Sequence, residues 1–171
     1  MLKAVFFDRD GTLIKTFVKK NKPLAINNIK DLKLFNNAKF VIDRLSKNYK
    51  IFIITNQPDV ARGLNSKKNV IEINSKLKKL LSLNKIYTSY SSNDENYFRK
   101  PNPGMILKAK KEFNLNLKKS YVIGDREKDI IAGAKAGCKT ILIKKSYNNH
   151  KTIKCSHLIT KLKDILRIIK V

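Results

Sequence analysis

The sequence predicts an α/β fold, a doubly wound parallel sheet with helices on both faces, and two observations carry this prediction. Short apolar runs of strand length alternate with longer stretches in which apolar residues recur at helical spacing. Such alternation is typical of helices that connect parallel strands. The 171 residues, 42% of them hydrophobic, can bury one substantial core. We therefore expect a single domain over residues 1–171.

The strands and the first helices are predicted from apolar patterns alone. Apolar runs predict strands at 4–7, 51–54, 86–88, 121–123 and 140–143. Helical spacing predicts two helices between them, with core faces at Ala38, Val41, Ile42 and Leu45, and at Val70, Ile73, Leu77 and Leu80.

The later helices are predicted from their ends as well. Asn102 and Pro103 fit the N-cap and first turn of a helix that runs through Phe113. A helix over 127–136 is expected to end at Gly137 in the C′ position. The core face of a terminal helix is predicted at Leu162, Ile165 and Ile169.

The chain is strongly basic, with 38 Lys and Arg against 13 Asp and Glu and a formal charge of +25. Such a field attracts polyanions, phosphorylated metabolites and acidic membranes without selecting among them. The lysines are scattered through helical stretches, which favours a generally basic surface over a specific nucleic-acid site. No apolar run reaches the roughly 20 residues that cross a bilayer. We therefore expect a cytoplasmic protein with no membrane partner.

Acidic residues are scarce, so their positions are informative. Asp8 and Asp10 follow the first predicted strand, and Asp125 and Asp129 follow a later one. In a doubly wound sheet, ligands bind at the carboxyl ends of the strands. We therefore expect these four carboxylates at one edge of the sheet.

Two further polar residues are expected at the same edge. Thr55 directly follows the second predicted strand, and Lys100 lies in a later loop. The segment 12–35 is long for a connection of about 2–6 residues. It is a candidate flap or substrate loop.

Four motifs occur in order along residues 5–143. They are Asp-Arg-Asp-Gly-Thr at 8–12, Thr-Asn-Gln at 55–57, Arg-Lys-Pro-Asn-Pro-Gly-Met at 99–105 and Gly-Asp-Arg-Glu-Lys-Asp at 124–129. Together they resemble the haloacid dehalogenase (HAD) superfamily of phosphohydrolases. The first three look like the branch that contains D-glycero-D-manno-heptose-1,7-bisphosphate 7-phosphatase and the histidinol-phosphate phosphatases. The resemblance implies a HAD-like fold with a small cap or none.

The resemblance also implies the catalytic pair. Asp8 matches the nucleophile of the family, a carboxylate that attacks phosphorus and holds the phosphoryl group covalently. Asp10 matches the residue that protonates the leaving oxygen and later takes a proton from the attacking water. Thr55 and Lys100 match the residues that hold the phosphoryl oxygens, by a hydroxyl and by a positive charge.

Further site residues follow from the same resemblance. It implies Mg²⁺ held by the Asp8 carboxylate, the Asp10 main-chain carbonyl and the Asp125 carboxylate. Two interpretations of Asp129 stay open: it orients Asp125 or a bound water, or it is an acidic residue in the first turn of a helix. The positions that match substrate-contacting residues are Asn56, Gln57, Arg99 and Arg126.

The sequence departs from the branch in one loop. Many members carry a zinc loop of cysteines and a histidine before the third motif, but residues 90–98 contain neither residue type. Cys138 and Cys155 lie far apart, and Cys155 with His157 is only a two-ligand fragment. We therefore expect no zinc.

The leading hypothesis is an Mg²⁺-dependent, monomeric phosphatase that acts on a small phosphorylated sugar. The expected reaction is removal of the 7-phosphate from heptose 1,7-bisphosphate. Histidinol phosphate stays open as a substrate. So does a nucleic-acid 3′-phosphate, since repair 3′-phosphatases share Asp-x-Asp, Thr-Asn-Gln and Arg-Lys-Pro and the +25 charge suits a phosphate backbone. Arg9 between the aspartates looks more like the metabolite branch. The alternative of another class is a non-catalytic binding module on a phosphatase fold.

Overall fold

The computed structural model describes residues 1–170 and contains one six-stranded parallel sheet and one antiparallel hairpin. The strands are β1 (Ala4–Phe7), β2 (Phe17–Lys19), β3 (Lys22–Leu24), β4 (Lys50–Asn56), β5 (Lys85–Ser89), β6 (Tyr121–Gly124), β7 (Lys139–Ile143) and β8 (His157–Ile159). The α-helices are α1 (Ala38–Leu45), α2 (Lys67–Leu80), α3 (Gly104–Phe113), α4 (Glu127–Lys135) and α5 (Ile165–Ile168).

The strand order of the parallel sheet places a crevice beside β1. The order is β5-β4-β1-β6-β7-β8, so the chain winds outward from β1 and then returns to its other side. Phe6 of β1 is paired with Phe52 of β4 on one side and with Val122 of β6 on the other. The direction of winding therefore reverses between β1 and β6, and in such sheets the ligand crevice opens at this point, at the carboxyl ends of the strands.

Both faces of the sheet are covered by helices. Successive residues of a strand point to opposite faces, so Val5 and Phe7 join one core, while Ala4 and Phe6 join the other. The first core contains side chains of α1, α2 and α5, and the second contains side chains of α3 and α4. All four residues of β1 are fully buried, which explains why this strand is an uninterrupted apolar run.

The predicted fold class is confirmed, and each predicted strand is present with ends within two residues of the prediction. The hairpin β2–β3 and the edge strand β8 were not predicted. Each of these strands has only three residues and most of them are exposed, so no apolar alternation marks them in the sequence. None of the helices in residues 1–170 has the length and apolar character required to span a membrane.

The predicted helix ends are only partly correct. Gly137 follows α4 with φ +81°, a left-handed conformation that glycine adopts at little cost. Asn102 as the N-cap of α3 was wrong. Pro103 is the N-cap, and the Asn102 amide donates to the carbonyl oxygens of Asp94 and Asn96 instead. The terminal helix is a 3₁₀ turn followed by the single turn α5, although its three predicted core residues are buried.

A test of the fold concerns the buried Ser120 hydroxyl, which ties the start of β1 to the loop before β6. Its Oγ accepts from the Ala4 N–H at 2.9 Å and donates to the Asn116 carbonyl at 2.6 Å. Ser120→Ala leaves the buried Ala4 N–H without its acceptor, so we expect a loss of about 1–3 kcal/mol in the free energy of unfolding, measured by urea denaturation.

The matched control is Ser82→Ala, because the Ser82 hydroxyl makes an exposed hydrogen bond to Asp43. Its effect should stay within about 0.5 kcal/mol. A Ser120→Ala protein that unfolds at the same urea concentration as the Ser82→Ala protein would contradict the structural role of this hydroxyl.

Candidate active site

A cleft of about 600 Å³ lies at the carboxyl ends of the strands, beside the crevice between β1 and β6. The hairpin contributes residues 21–25 to its wall, within the segment expected to be a flap or substrate loop. Eight of the residues singled out in the sequence line it: Asp8, Asp10, Thr55, Asn56, Arg99, Lys100, Arg126 and Asp129. Gln57 and Asp125 are also buried here, and each contacts polar side chains of the site.

Lys100 is the cation that joins three of the surrounding segments. Its buried Nζ lies 2.6 Å from a carboxylate oxygen of Asp8 and 2.6 Å from one of Asp129. It also donates to the Ile54 carbonyl at 2.8 Å, at the end of β4. Burial alone would lower the pKa of this amine, but the two carboxylates outweigh burial and raise it. Lys100 therefore remains charged, and the chemistry available to it is electrostatic.

The site holds more negative than positive charge. Four carboxylates, those of Asp8, Asp10, Asp125 and Asp129, are buried here, and the two buried cations that contact them are Lys100 and Arg9. The buried Arg99 pairs with Asp94 instead. Burial raises the pKa of Asp8 to about 8, with repulsion from the other three carboxylates added to it and the attraction of Lys100 opposing it. Burial and Asp129 likewise raise the pKa of Asp125.

The excess negative charge suits a divalent cation. Asp8, Asp125 and Asp129 each offer a carboxylate oxygen within 4.8 Å of the others. Hard oxygen ligands of this kind are those that Mg²⁺ prefers. The donor set therefore fits the ion that the sequence resemblance implied, and a bound cation would relieve the repulsion that raises the pKa of Asp8 and Asp125.

Asp125 is held by residues that sequence reasoning missed. Its two carboxylate oxygens accept hydrogen bonds from the Thr12 hydroxyl at 3.1 Å and the Tyr147 hydroxyl at 2.6 Å. The Asn148 amide donates to its main-chain carbonyl at 2.8 Å. Gly11 has φ +89°, and a Cβ here would collide with the Asp125 carboxylate, so glycine is required for this approach.

Of the two interpretations of Asp129 that the sequence left open, the structure shows the acidic residue in the first turn of a helix, and its side chain contacts Arg126 and Lys100, not Asp125. It is in the first turn of α4, where its Oδ2 accepts from the Arg126 N–H at 3.0 Å. Its other oxygen contacts Lys100. A Cβ on Gly124 would collide with the Asp129 side chain, so this glycine lets the carboxylate lie against the end of β6. The spacing of Asp129 after Asp125 was visible in the sequence, but its contact with Lys100 was not.

The predicted substrate-contacting residues have different surroundings. The Asn56 side chain is engaged by the backbone of Lys100, at 2.9 Å to its carbonyl and 3.1 Å to its N–H. Gln57 donates to Asp10 and Thr55, both at 2.8 Å. These two amides therefore hold other site residues in place.

The two predicted arginines lie in the wall of the cleft. Arg99 pairs with Asp94 at 2.7 Å and donates to the Ser91 carbonyl. Asp94 also pairs with Lys128 of α4, and the two cations lower the pKa of its exposed carboxyl to about 2. Arg126 is exposed and donates to the Pro23 carbonyl at 2.8 Å. It thereby joins the start of α4 to the hairpin.

Comparisons with known proteins agree with this geometry. The family model described as "Polynucleotide kinase 3 phosphatase" matches residues 3–157. A D-glycero-alpha-D-manno-heptose-1,7-bisphosphate 7-phosphatase of Campylobacter jejuni is 35% identical over 151 residues, which cover 82% of this chain and 81% of the relative. A D-glycero-beta-D-manno-heptose-1,7-bisphosphate 7-phosphatase of Helicobacter pylori is 33% identical over 150 residues, covering 82% and 83%.

A solved structure shows the same fold. The D,D-heptose 1,7-bisphosphate phosphatase of B. bronchiseptica, crystallised with magnesium and phosphate, superposes with a TM-score of 0.82. The match covers 98% of this chain and 100% of that protein at 22% sequence identity. The family match over residues 3–157, the relatives above 30% identity and the shared fold place this chain in the HAD superfamily of phosphatases.

Proposed function

We propose that this protein is an Mg²⁺-dependent phosphatase that removes the 7-phosphate of a D-glycero-D-manno-heptose 1,7-bisphosphate. The observation that carries the reaction type is the cluster in which Asp8 contacts Lys100 while Asp10 lines the same cleft. The substrate is proposed from the relatives, whose names specify that bisphosphate in its alpha or beta form.

The first step is transfer of the phosphoryl group to the enzyme. A carboxylate oxygen of Asp8 forms a bond to phosphorus, and the bond from phosphorus to the sugar oxygen breaks with its electron pair on that oxygen. Asp10 donates a proton to the same oxygen, so the sugar leaves as an alcohol. Lys100 and the Thr55 hydroxyl hold the phosphoryl oxygens, where charge accumulates during transfer.

The second step returns Asp8 to its starting state. Asp10, now a carboxylate, takes a proton from water as the water oxygen bonds to phosphorus. The bond between phosphorus and Asp8 breaks with its electron pair on the Asp8 oxygen, and inorganic phosphate leaves. The pairing of one carboxylate with phosphorus and another with protons explains why two acids two residues apart are required.

The metal ligands proposed are the carboxylates of Asp8 and Asp125 and the main-chain carbonyl of Asp10. Bound there, Mg²⁺ supplies positive charge that neutralises the phosphoryl oxygens and lets an anionic nucleophile approach them. The proposal includes no zinc, because residues 90–98 offer no cysteine or histidine. Polar contacts of Asp94 hold this segment instead.

Substrate selection is proposed to lie in the rim of the cleft. Arg99, Arg126 and the hairpin residues 21–25 line the cleft outside the carboxylate cluster. Cationic side chains of this kind suit the second phosphate of a bisphosphate. We propose that the enzyme acts as a monomer, since the fold of one chain brings the proposed nucleophile, proton shuttle and metal ligands to one cleft.

A second candidate, a nucleic-acid 3′-phosphatase, is favoured by two observations. The matching family model is described as a polynucleotide kinase 3 phosphatase. The formal charge of +25 would attract a phosphate backbone. The chemistry at Asp8 and Asp10 would be unchanged. The two candidates therefore differ only in the substrate that the cleft binds, a sugar bisphosphate or the 3′ end of a nucleic-acid strand.

The first prediction here concerns Asp8→Asn, which should abolish turnover, because a neutral amide is a poor nucleophile. It should also raise the melting temperature of the metal-free protein at pH 8. The raised pKa means that folded Asp8 keeps a proton that the unfolded chain releases at the ordinary aspartate pKa of 3.8, so wild-type stability falls as pH rises from about 4 to about 8. Each 1 kcal/mol gained by no longer burying this charge corresponds to about 2–4 °C in melting temperature.

Thermal unfolding with EDTA and with Mg²⁺ measures this effect. Mg²⁺ should stabilise the wild type and stabilise Asp8→Asn much less, since a ligand is lost. The control is Asp43→Asn, an exposed carboxylate paired with Lys39, which should leave the Mg²⁺ effect intact. If Mg²⁺ raises the melting temperature of the wild type and of Asp8→Asn equally, Asp8 is not a metal ligand.

The substrate prediction is tested by phosphate release from both heptose bisphosphate anomers and from histidinol phosphate. We expect kcat/KM for one heptose anomer to exceed that for histidinol phosphate by at least about tenfold, a difference of about 1.4 kcal/mol in transition-state binding. The Asp8→Asn protein serves as the blank for contaminating phosphatase. A higher kcat/KM for histidinol phosphate would contradict the proposed substrate but not the proposed mechanism.

The nucleic-acid candidate makes a different prediction. If the basic surface is generic, oligonucleotide binding should be blind to sequence and should fade between roughly 50 and 200 mM salt. At about 150 mM salt, kcat/KM for heptose bisphosphate should then exceed that for a 3′-phosphorylated oligonucleotide. A 5′-phosphorylated oligonucleotide of the same sequence is the matched control for charge. A preference for the 3′-phosphorylated strand over both other substrates would favour the second candidate.

A further inference from the structure

The two carboxylate oxygens of Asp10 have different surroundings. Oδ2 accepts hydrogen bonds from the Arg9 Nε–H and the Gln57 Nε2–H, both at 2.8 Å. Oδ1 is buried and has no hydrogen-bond partner among residues 1–170. Because buried polar atoms are nearly always paired, an unpaired oxygen on a residue that lines the cleft marks a position that a ligand engages.

Two of the three guanidinium nitrogens of Arg9 are hydrogen-bonded, and Nη2 has no partner among residues 1–170. Its side chain is fully buried, and its Nη1 donates to the Asn74 side-chain oxygen at 2.9 Å. The Asn74 amide donates in turn to the Thr88 hydroxyl at 3.1 Å. The planar guanidinium therefore contacts Asp10 at one edge and α2 at the other. A lysine, with a single charged nitrogen, lacks this fork geometry.

We propose that Arg9, held by Asn74, is a positioning residue that fixes the Asp10 carboxyl so that Oδ1 is the oxygen that exchanges the proton. This inference rests on the proposed function, in which Asp10 is the general acid. Oδ2 already accepts from two N–H donors, so a proton on Oδ2 would be directed at the Arg9 and Gln57 donors. A proton on Oδ1 faces no donor among residues 1–170. Oδ1 is therefore the oxygen left available to exchange a proton with a ligand, on a residue in the wall of the cleft.

The physical need for such a device lies in the side-chain torsion of aspartate. The terminal torsion of this residue has a broad energy profile, so an unrestrained carboxyl rotates away from the leaving oxygen. Two donors on Oδ2 restrain it, and small losses of alignment reduce proton transfer strongly. When the sugar oxygen takes the Oδ1 proton, the new negative charge on Asp10 faces the Arg9 cation through Oδ2.

The test uses the dependence of kcat/KM on the leaving group, because this parameter reports phosphoryl transfer to the enzyme and not its later hydrolysis. The probes are 2,4-dinitrophenyl phosphate, phenyl phosphate and whichever sugar phosphate the wild type hydrolyses best. A good leaving group departs without a proton, so only the poor ones need the acid. Arg9→Gln should lose about 10²-fold or more toward the sugar phosphate, within the range for general acids, and less than about tenfold toward the dinitrophenyl ester.

Three further variants separate positioning from folding. Asn74→Leu should show the same leaving-group pattern more weakly, and it keeps the test available if Arg9→Gln does not fold. Asn74→Asp retains an acceptor for Arg9 and should restore activity toward the sugar phosphate. Ser120→Ala, a buried change in the loop before β6, is the control for lost stability. It should lower kcat/KM toward all three substrates by the same factor.

Asp10→Asn is the reference for the acid itself. If it shows the leaving-group dependence while Arg9→Gln and Asn74→Leu lose activity equally toward all substrates, the positioning role is overturned and the proposed function stands. If Asp10→Asn loses activity equally toward all substrates, its general-acid role fails and the inference fails with it. If kcat/KM depends on the leaving group in the same way in Asp10→Asn and in Arg9→Gln, the positioning role of Arg9 is supported.

Discussion

Four carboxylates buried against two cations are the constraint on which the rest of the structure depends. Removing charged groups from water costs several kcal/mol per ion unless partners replace the water. Lys100 and Arg9 supply that compensation only because each reaches separate segments, Lys100 through Asp8 and Asp129 and Arg9 through Asp10 and α2. The apolar cores on the two faces of the sheet keep these segments in place. The remaining excess of negative charge explains why the site suits a metal ion.

The buried floor of the site, around Asp8 and Lys100, differs from its exposed rim, around Arg126. The floor is buried and rigid, and the amides of Asn56 and Gln57 engage other site residues there. The rim contains exposed groups such as Arg126 and the hairpin residues that Arg126 contacts. In the proposed function, the chemistry depends on the floor, since it needs fixed distances. Substrate choice is assigned to the rim, since exposed loops vary with little effect on the core.

This division explains how relatives with different names share one fold. The matching family model is described as "Polynucleotide kinase 3 phosphatase", whereas the similar proteins are named as heptose-1,7-bisphosphate 7-phosphatases. In the proposed mechanism, phosphoryl transfer to Asp8 uses the floor of the site and does not depend on which substrate the rim holds. A fold therefore indicates the reaction more securely than the substrate.

The sequence by itself determined the parallel α/β class, the positions of the five main strands along the chain and the residues expected at one edge of the sheet. These follow from local patterns, since apolar periodicity and motif spacing depend on neighbours along the chain. Only the tertiary structure decided which side chains meet: Lys100 lies 92 residues from Asp8, and Tyr147 lies 22 residues from Asp125. Such contacts depend on loop conformations and on the packing of helices against the sheet. No local pattern encodes them, and for the same reason the fully buried position of Arg9 and its bond to Asn74 were not predicted.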